Sequence, residues 1–147
     1  MKLSTFMRCR IICIGNRFFK PDAAGPMVYD LLSRRQLPES VELIDGGLAG
    51  LNLLRFLENA GLVVFIDTVS GFRESPGIVI LDSFESLHID EDCDHNTGLS
   101  YLLRIAPLVL TGGMPFIILI GIEGEPDSSL CAQAAQKCLD IVAGHRP

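Results

Sequence analysis

Basic charge is scarce in this chain and nowhere gathers into a stripe. Twelve Lys and Arg stand against eighteen Asp and Glu, for a net charge of −6, and the pI is near 4.9. Apart from Arg34-Arg35 the basic residues are scattered, which argues against a nucleic-acid backbone as partner. No uninterrupted apolar run is long enough to span a bilayer. The best stretch, Leu102–Ile122, is broken by Arg104, Pro107, Gly112-Gly113 and Pro115, which read as a helix end, a turn and a new strand. Near the start, Ile11–Ile14 is shorter than a signal-peptide core and no small-x-small cleavage site follows. Met7-Arg8 offers a second start, with residues 1–6 as an extension. No Cys-x-x-Cys pair and no even cysteine framework exists among Cys9, Cys13, Cys93, Cys131 and Cys138. The odd count and the apolar neighbours of Cys9 and Cys13 indicate reduced, mostly packed thiols in a cytoplasmic protein. G-x-S-x-G, Walker A and H-E-x-x-H are absent. The first strand-to-helix turn has Cys13-x-Gly15 in place of G-x-G-x-x-G, and Arg17, Phe18 and Phe19 fill the space a pyrophosphate needs.

What is present is apolar substance. Hydrophobic residues make up 48% of the 147 and charged residues 20%, and mean hydropathy is +0.37. These values exclude intrinsic disorder and fit one domain, residues 1–147, with a full core. Buried strands are expected at Arg10–Ile14, Val41–Ile44, Leu62–Ile66 and Phe116–Ile120, and a fifth at Gly77–Leu81 after the Ser75-Pro76-Gly77 turn. Helical patterns fall at about Ala23–Arg35, Ala49–Asn59, Leu99–Leu110 and Ser129–Val142, and Pro107 should kink the third or end it early. Asp82 and Glu85 have capping-box spacing for a short extra turn. The alternation predicts an α/β fold: a three-layer sandwich, its mixed, mostly parallel five-stranded sheet covered by helices on both faces. Val69–Pro76 is too short for a comfortable parallel crossover, so one strand should be antiparallel.

In such sheets ligands gather at the carboxyl ends of the parallel strands. Three groups are expected there: Asp22 between the first strand and helix, Asp67 at the end of the third strand, and His95 before the third helix. Two carboxylates and an imidazole from separate loops suit a divalent transition metal with open positions. Each also has a structural reading. Asp22 is placed to cap the first helix. Asp67, ending an apolar strand, needs a partner whatever its role. His95 follows the acidic run Asp90–Asp94, where a lone loop histidine is more often a surface residue than a ligand, and its acidic neighbours favour the protonated form.

Gly15-Asn16 is similar to the opening of peptidyl-tRNA hydrolases, but the histidine expected soon after it is absent. A broader match covers about Met7–Glu123. Gly15-Asn16, Asp22 and Gly25, then Asp45-Gly46-Gly47-x-x-Gly50, Asp67, Ser75-Pro76-Gly77, His95-x-x-Gly98-Leu99 and Gly121-Ile122-Glu123 stand in the order seen in hydrogenase maturation endopeptidases. The chain resembles that family, and the resemblance implies its phosphorylase/hydrolase-like sandwich. It also implies an endopeptidase that removes the C-terminal extension of a nickel–iron hydrogenase large-subunit precursor after nickel insertion. Asp22, Asp67 and His95 then occupy the metal-contacting positions. Nickel arrives with the substrate, or another divalent transition metal binds the isolated protein, and polarises the scissile carbonyl or activates water. Asn16, Asp45, Gly46 and Gly47 become a substrate-docking surface, although Gly46-Gly47 reads equally as a tight strand-to-helix turn. The chain departs from the family pattern at Cys13, Pro21, Leu48 and Gly124, carries Asp22 where many relatives have glutamate, and shortens the segment Glu125–Ser129. Two alternatives remain at this level: a stand-alone metallopeptidase of the same fold, and a catalytically silent protein that docks on a metalloprotein precursor.

Overall fold

The computed structural model describes residues 8–48, 50–82 and 97–145. In chain order these form β1 (Arg8–Ile14), α1 (Ala24–Ser33), β2 (Val41–Gly47), α2 (Leu54–Leu57), β3 (Ala60–Val69), β4 (Gly77–Leu81), α3 (Thr97–Val109), β5 (Phe116–Glu123) and α4 (Ser128–Gly144). The sheet order is β2-β1-β3-β5-β4. β2, β1, β3 and β5 run parallel, and β4 pairs antiparallel with β5. The expected mixed sheet is therefore present. The antiparallel strand neighbours β5, however, so the segment from Ser70 to Pro76 crosses the end of β5 to reach its far side. Two strand spacings, roughly 10 Å, lie within reach of seven residues.

β1 and β3 are buried on both faces where their central runs, Ile11–Ile14 and Leu62–Ile66, are continuously apolar rather than alternating. Leu62, Val64 and Ile66 of β3 join the core under α1 and α4. Val63, Phe65 and Val69 join the core with α2 and α3 residues such as Leu57, Leu102 and Ala106. This alternation places Asp67 on the α2/α3 face. The helices cover both faces, as a three-layer sandwich requires. Among the described residues, no helix is long and apolar enough to cross a membrane.

Two local expectations are corrected, for the second helix and for the end of β3, and the effect of Pro107 on α3 is narrowed. The helix expected over Ala49–Asn59 is a 3-10 turn at Leu51–Leu53 followed by only four α-helical residues. Asn59 takes a positive φ of 59°, and the guanidinium of Arg10 donates to the Phe56 and Glu58 carbonyls at 2.8 and 2.7 Å. A buried arginine thus binds the carbonyls that a longer helix would satisfy internally. α3 continues two residues beyond Pro107 to Val109, with the Leu110 amide still bonded to the Ala106 carbonyl at 3.0 Å. β3 runs on to Val69, so Asp67 lies within the strand rather than ending it. The Asp82–Glu85 capping box extends outside the described residues.

Arg10 reads in the chain only as a strand's first residue, yet it joins β1 to β2 through Glu42 at 3.0 Å and to α2 through the two carbonyls. Arg10→Leu is expected to lower stability by about 2–3 kcal/mol, because two carbonyls lose a charged donor. Urea unfolding of the variant measures it, and an unchanged midpoint would remove this role.

Candidate active site

β1 ends at Ile14, while β3 continues to Val69 beside β5. Beyond the Cys13–Ile66 pair, β3 therefore has lost its β1 neighbour. Asp67 emerges at that step, opposite Gly121 of β5. It is only 9% exposed, and its Oδ1 accepts the Thr68 amide at 2.7 Å. Burial raises its pKa from 3.8 to about 7; the Thr68 hydrogen bond opposes the rise and the nearby charge of Asp22 adds to it. Among the described residues Asp67 has no ion-pair partner. A buried carboxylate without a cation is costly to keep charged, which is the condition in which a bound cation is favourable.

Asp22 closes the 3-10 turn Lys20–Asp22, against which β3 packs. The capping reading is corrected: α1 has Ala23 at its N-cap and no side-chain cap. The Asp22 carboxylate instead accepts the Asn16 amide at 3.1 Å, and the same amide reaches the Asp22 carbonyl at 3.0 Å. Asn16 is half-buried and turns its own Oδ1 to the Phe18 amide at 2.9 Å. Asn16 and Asp22 thus clamp one loop from its two ends. α1 then starts so close to β1 that a Cβ on Gly25 would collide with the Ile14 carbonyl oxygen.

Asp45, Gly46 and Gly47 do not form a loop. They complete β2, and the register with β1 slips so that Cys13 pairs with Asp45 but Ile14 with Gly47. Gly46 occupies this bulge, where a Cβ would meet Ile12 Cγ2 at 2.8 Å, and Gly47 takes a φ of 56° that favours glycine. The exposed Asp45 accepts the Gly47 amide at 3.3 Å and pairs with Arg17 at 3.7 Å. β1 lies between β2 and β3, so Asp45 sits two strands from Asp67. Asp22 and Asp67 are brought together; Asp45 is not part of that pair. His95 and Cys93 lie outside the described residues, and Thr97, two positions after His95, opens α3. Among the described residues no three metal-binding side chains converge.

Two features escape a reading of the chain. Glu123, 8% exposed at the end of β5, accepts the Phe72 and Arg73 amides at 2.7 and 2.8 Å. It anchors the loop that leaves β3 just after Asp67. Its signal was available, since a carboxylate closing an apolar strand requires partners. The second is the exposure of Phe18 and Phe19 in the Asp22 loop. The thiols, by contrast, match expectation: Cys9, Cys13, Cys131 and Cys138 are free and buried. Burial pushes Cys9 and Cys131 up to about 11, Cys138 up to about 12 and Cys13 well above its usual value. None is placed to act as a thiolate.

Fold and site together define an α/β sandwich with an acidic pair at the carboxyl rim of its parallel strands. A family profile described as hydrogenase maturation protease matches residues 26–130. The chain belongs to the hydrogenase maturation protease family, and it is a peptidase. It is 28% identical over 124 residues to the hydrogenase 2 maturation protease of Escherichia coli K12, spanning 81% of this chain and 74% of that protein. It is 27% identical over 148 residues to a putative hydrogenase maturation protease of Methanocaldococcus jannaschii, spanning 91% and 93%. The solved structure of the hydrogenase maturating endopeptidase HybD from E. coli superposes with a TM-score of 0.80 at 26% identity, covering 93% of each chain.

Proposed function

We propose that this peptidase removes the C-terminal extension of a nickel–iron hydrogenase large-subunit precursor once nickel has been inserted, and that Asp22, Asp67 and His95 contact the nickel. The carrying observation is Asp67: buried, with a pKa raised by burial and by the Asp22 charge, and without a cationic partner among the described residues. Two neighbouring carboxylates repel each other, and a cation delivered by the substrate relieves that repulsion. The donor set fits, since carboxylates with an imidazole suit a divalent transition metal. Nickel carried by the precursor supplies Lewis-acid charge at the scissile carbonyl. The chain's own share is to hold that charge, Asp67 from within β3 and Asp22 from a clamped turn, and to exclude water around Asp67. The Asn16 amide keeps the Asp22 carboxylate aimed, and Glu123 fixes the loop after Asp67. Asp45–Gly47 serve as docking backbone at the β1/β2 edge.

The test incubates nickel-loaded and nickel-free precursor with the protein and reads the intact product mass. The tail is expected to leave only the nickel-loaded form. Equal cleavage of both forms would overturn the metal gate in favour of a stand-alone peptidase. Binding without cleavage would favour the silent docking protein.

A further inference from the structure

Phe18 is 95% exposed, and Phe19, Leu48 and Leu51 are exposed as well. These residues belong to the loops after β1 and β2, which are joined where the Gly15 amide meets the Gly47 carbonyl at 2.9 Å and where Arg17 meets Asp45 at 3.7 Å. We propose that Phe18 and Phe19, continued by Leu48 and Leu51, are the apolar anchor on which the folded body of the hydrogenase precursor docks, a proposal that rests on the function given above.

Three observations select that occupant. The first is continuity with the site: the Asp22 amide bonds the Phe19 carbonyl at 2.8 Å, so phenylalanines and carboxylate belong to one turn. A scissile bond brought to Asp22 and Asp67 carries its protein across this patch. The second is preorganisation. The Phe18 amide is held by Asn16 Oδ1 at 2.9 Å and the Phe19 amide by the Asn16 carbonyl at 3.2 Å. Arg17 is forked onto Asp30 at 2.7 and 3.1 Å, and Pro21 stiffens the return. The backbone that carries the two rings is thus already fixed, so a partner that covers them has only side-chain freedom to order. The third is the surround: the exposed pairs Arg17–Asp30, Arg17–Asp45 and Lys20–Glu125 give the patch a polar rim of mixed charge, the anatomy of a protein interface. A second copy seated here by two-fold symmetry would cover Asp22 in both copies and close the site to a protein substrate.

The test compares wild type, the double variant Phe18→Ser/Phe19→Ser, and Leu108→Ser as a control for exposed apolar surface elsewhere, since Leu108 is 80% exposed near the end of α3. Melting curves confirm folding. Processing of nickel-loaded precursor is read as KM and kcat, precursor binding by interferometry, and association state by sedimentation. The double variant is expected to raise KM and weaken binding roughly 30-fold or more, with kcat within about twofold and both proteins monomeric. Leu108→Ser should match wild type. Unchanged KM and binding would overturn the proposal, as would a wild-type dimer that the double variant dissociates without altering KM. If wild type binds precursor but cuts none, the functional reading fails while binding still decides the docking surface. If wild type does not bind precursor, the docking proposal fails as well.

Discussion

Asp67→Asn is expected to stabilise the metal-free protein at neutral pH while reducing precursor processing by at least about a thousandfold. The folded Asp67 carboxyl has a pKa of about 7 against 3.8 in the unfolded chain. Between those values the folded state keeps a proton that the unfolded state has released, so stability falls as pH rises from about 4 to about 7. Above pH 7 the full cost is present, on the order of 4 kcal/mol from three pKa units; below pH 4 it is absent. Asparagine has no such titration and still accepts the Thr68 amide, but its buried NH2 needs a partner. A net gain of about 2 kcal/mol at pH 8 follows, and it reverses to a loss of about 2 kcal/mol towards pH 4, where only the cost of the buried NH2 remains. Urea unfolding of both proteins across that window measures it, and the difference between them isolates Asp67 from other carboxylates. A variant less stable at pH 8 would show that Asp67 is held charged by a structural partner, and one sharing the wild-type slope would show that folding leaves its pKa unshifted. His95→Ala should leave unfolding unchanged and abolish processing. Loss of function coupled to gain of stability is the signature of a group retained for its chemistry.

The second large effect lies in backbone contact. Gly25→Ala is expected to destabilise the fold by about 3 kcal/mol, lowering Tm by roughly 10 °C for a chain of this size. Helix propensity alone argues the reverse, since alanine is favoured over glycine by about 1 kcal/mol within a helix. The added methyl would collide with the Ile14 carbonyl oxygen, a main-chain atom at the end of β1, so α1 would have to lift away. Because the Asp22 turn sits between that strand and that helix, processing should fall with it. Gly144→Ala, at the end of α4 where a Cβ meets nothing within 4 Å, is the matched control and should be neutral or slightly stabilising. Equal melting of the two variants would refute the collision.

The sandwich was legible because its strands are runs of β-branched and apolar residues and its longer helices repeat at helical spacing. Asp67 was legible for a related reason: a carboxylate directly following the apolar run Val63–Ile66 demands an explanation. The same logic applied to Glu123 and was not drawn from the chain, since its partners Phe72 and Arg73 lie 51 and 50 residues away. The short form of α2 was hidden because Arg10, 46 and 48 residues before the carbonyls it binds, terminates it. Asp22 reads as a cap from its position before α1. Only the folded loop shows its carboxylate turned to Asn16 instead.

By itself, the sequence determined where the five strands and the three longer helices fall, that the sheet is mostly parallel with one reversed strand, and which residues are candidates for chemistry. Those properties depend on periodicity and on near neighbours, so each leaves a local trace. Tertiary structure alone decided that β5 lies between β3 and β4, that β1 stops where Asp67 begins, and that Asp22 comes close enough to perturb it. It also decided that Phe18 faces solvent, 95% exposed. Those outcomes arise from contacts between segments distant along the chain, and a residue's burial and charge environment are set only when those segments meet.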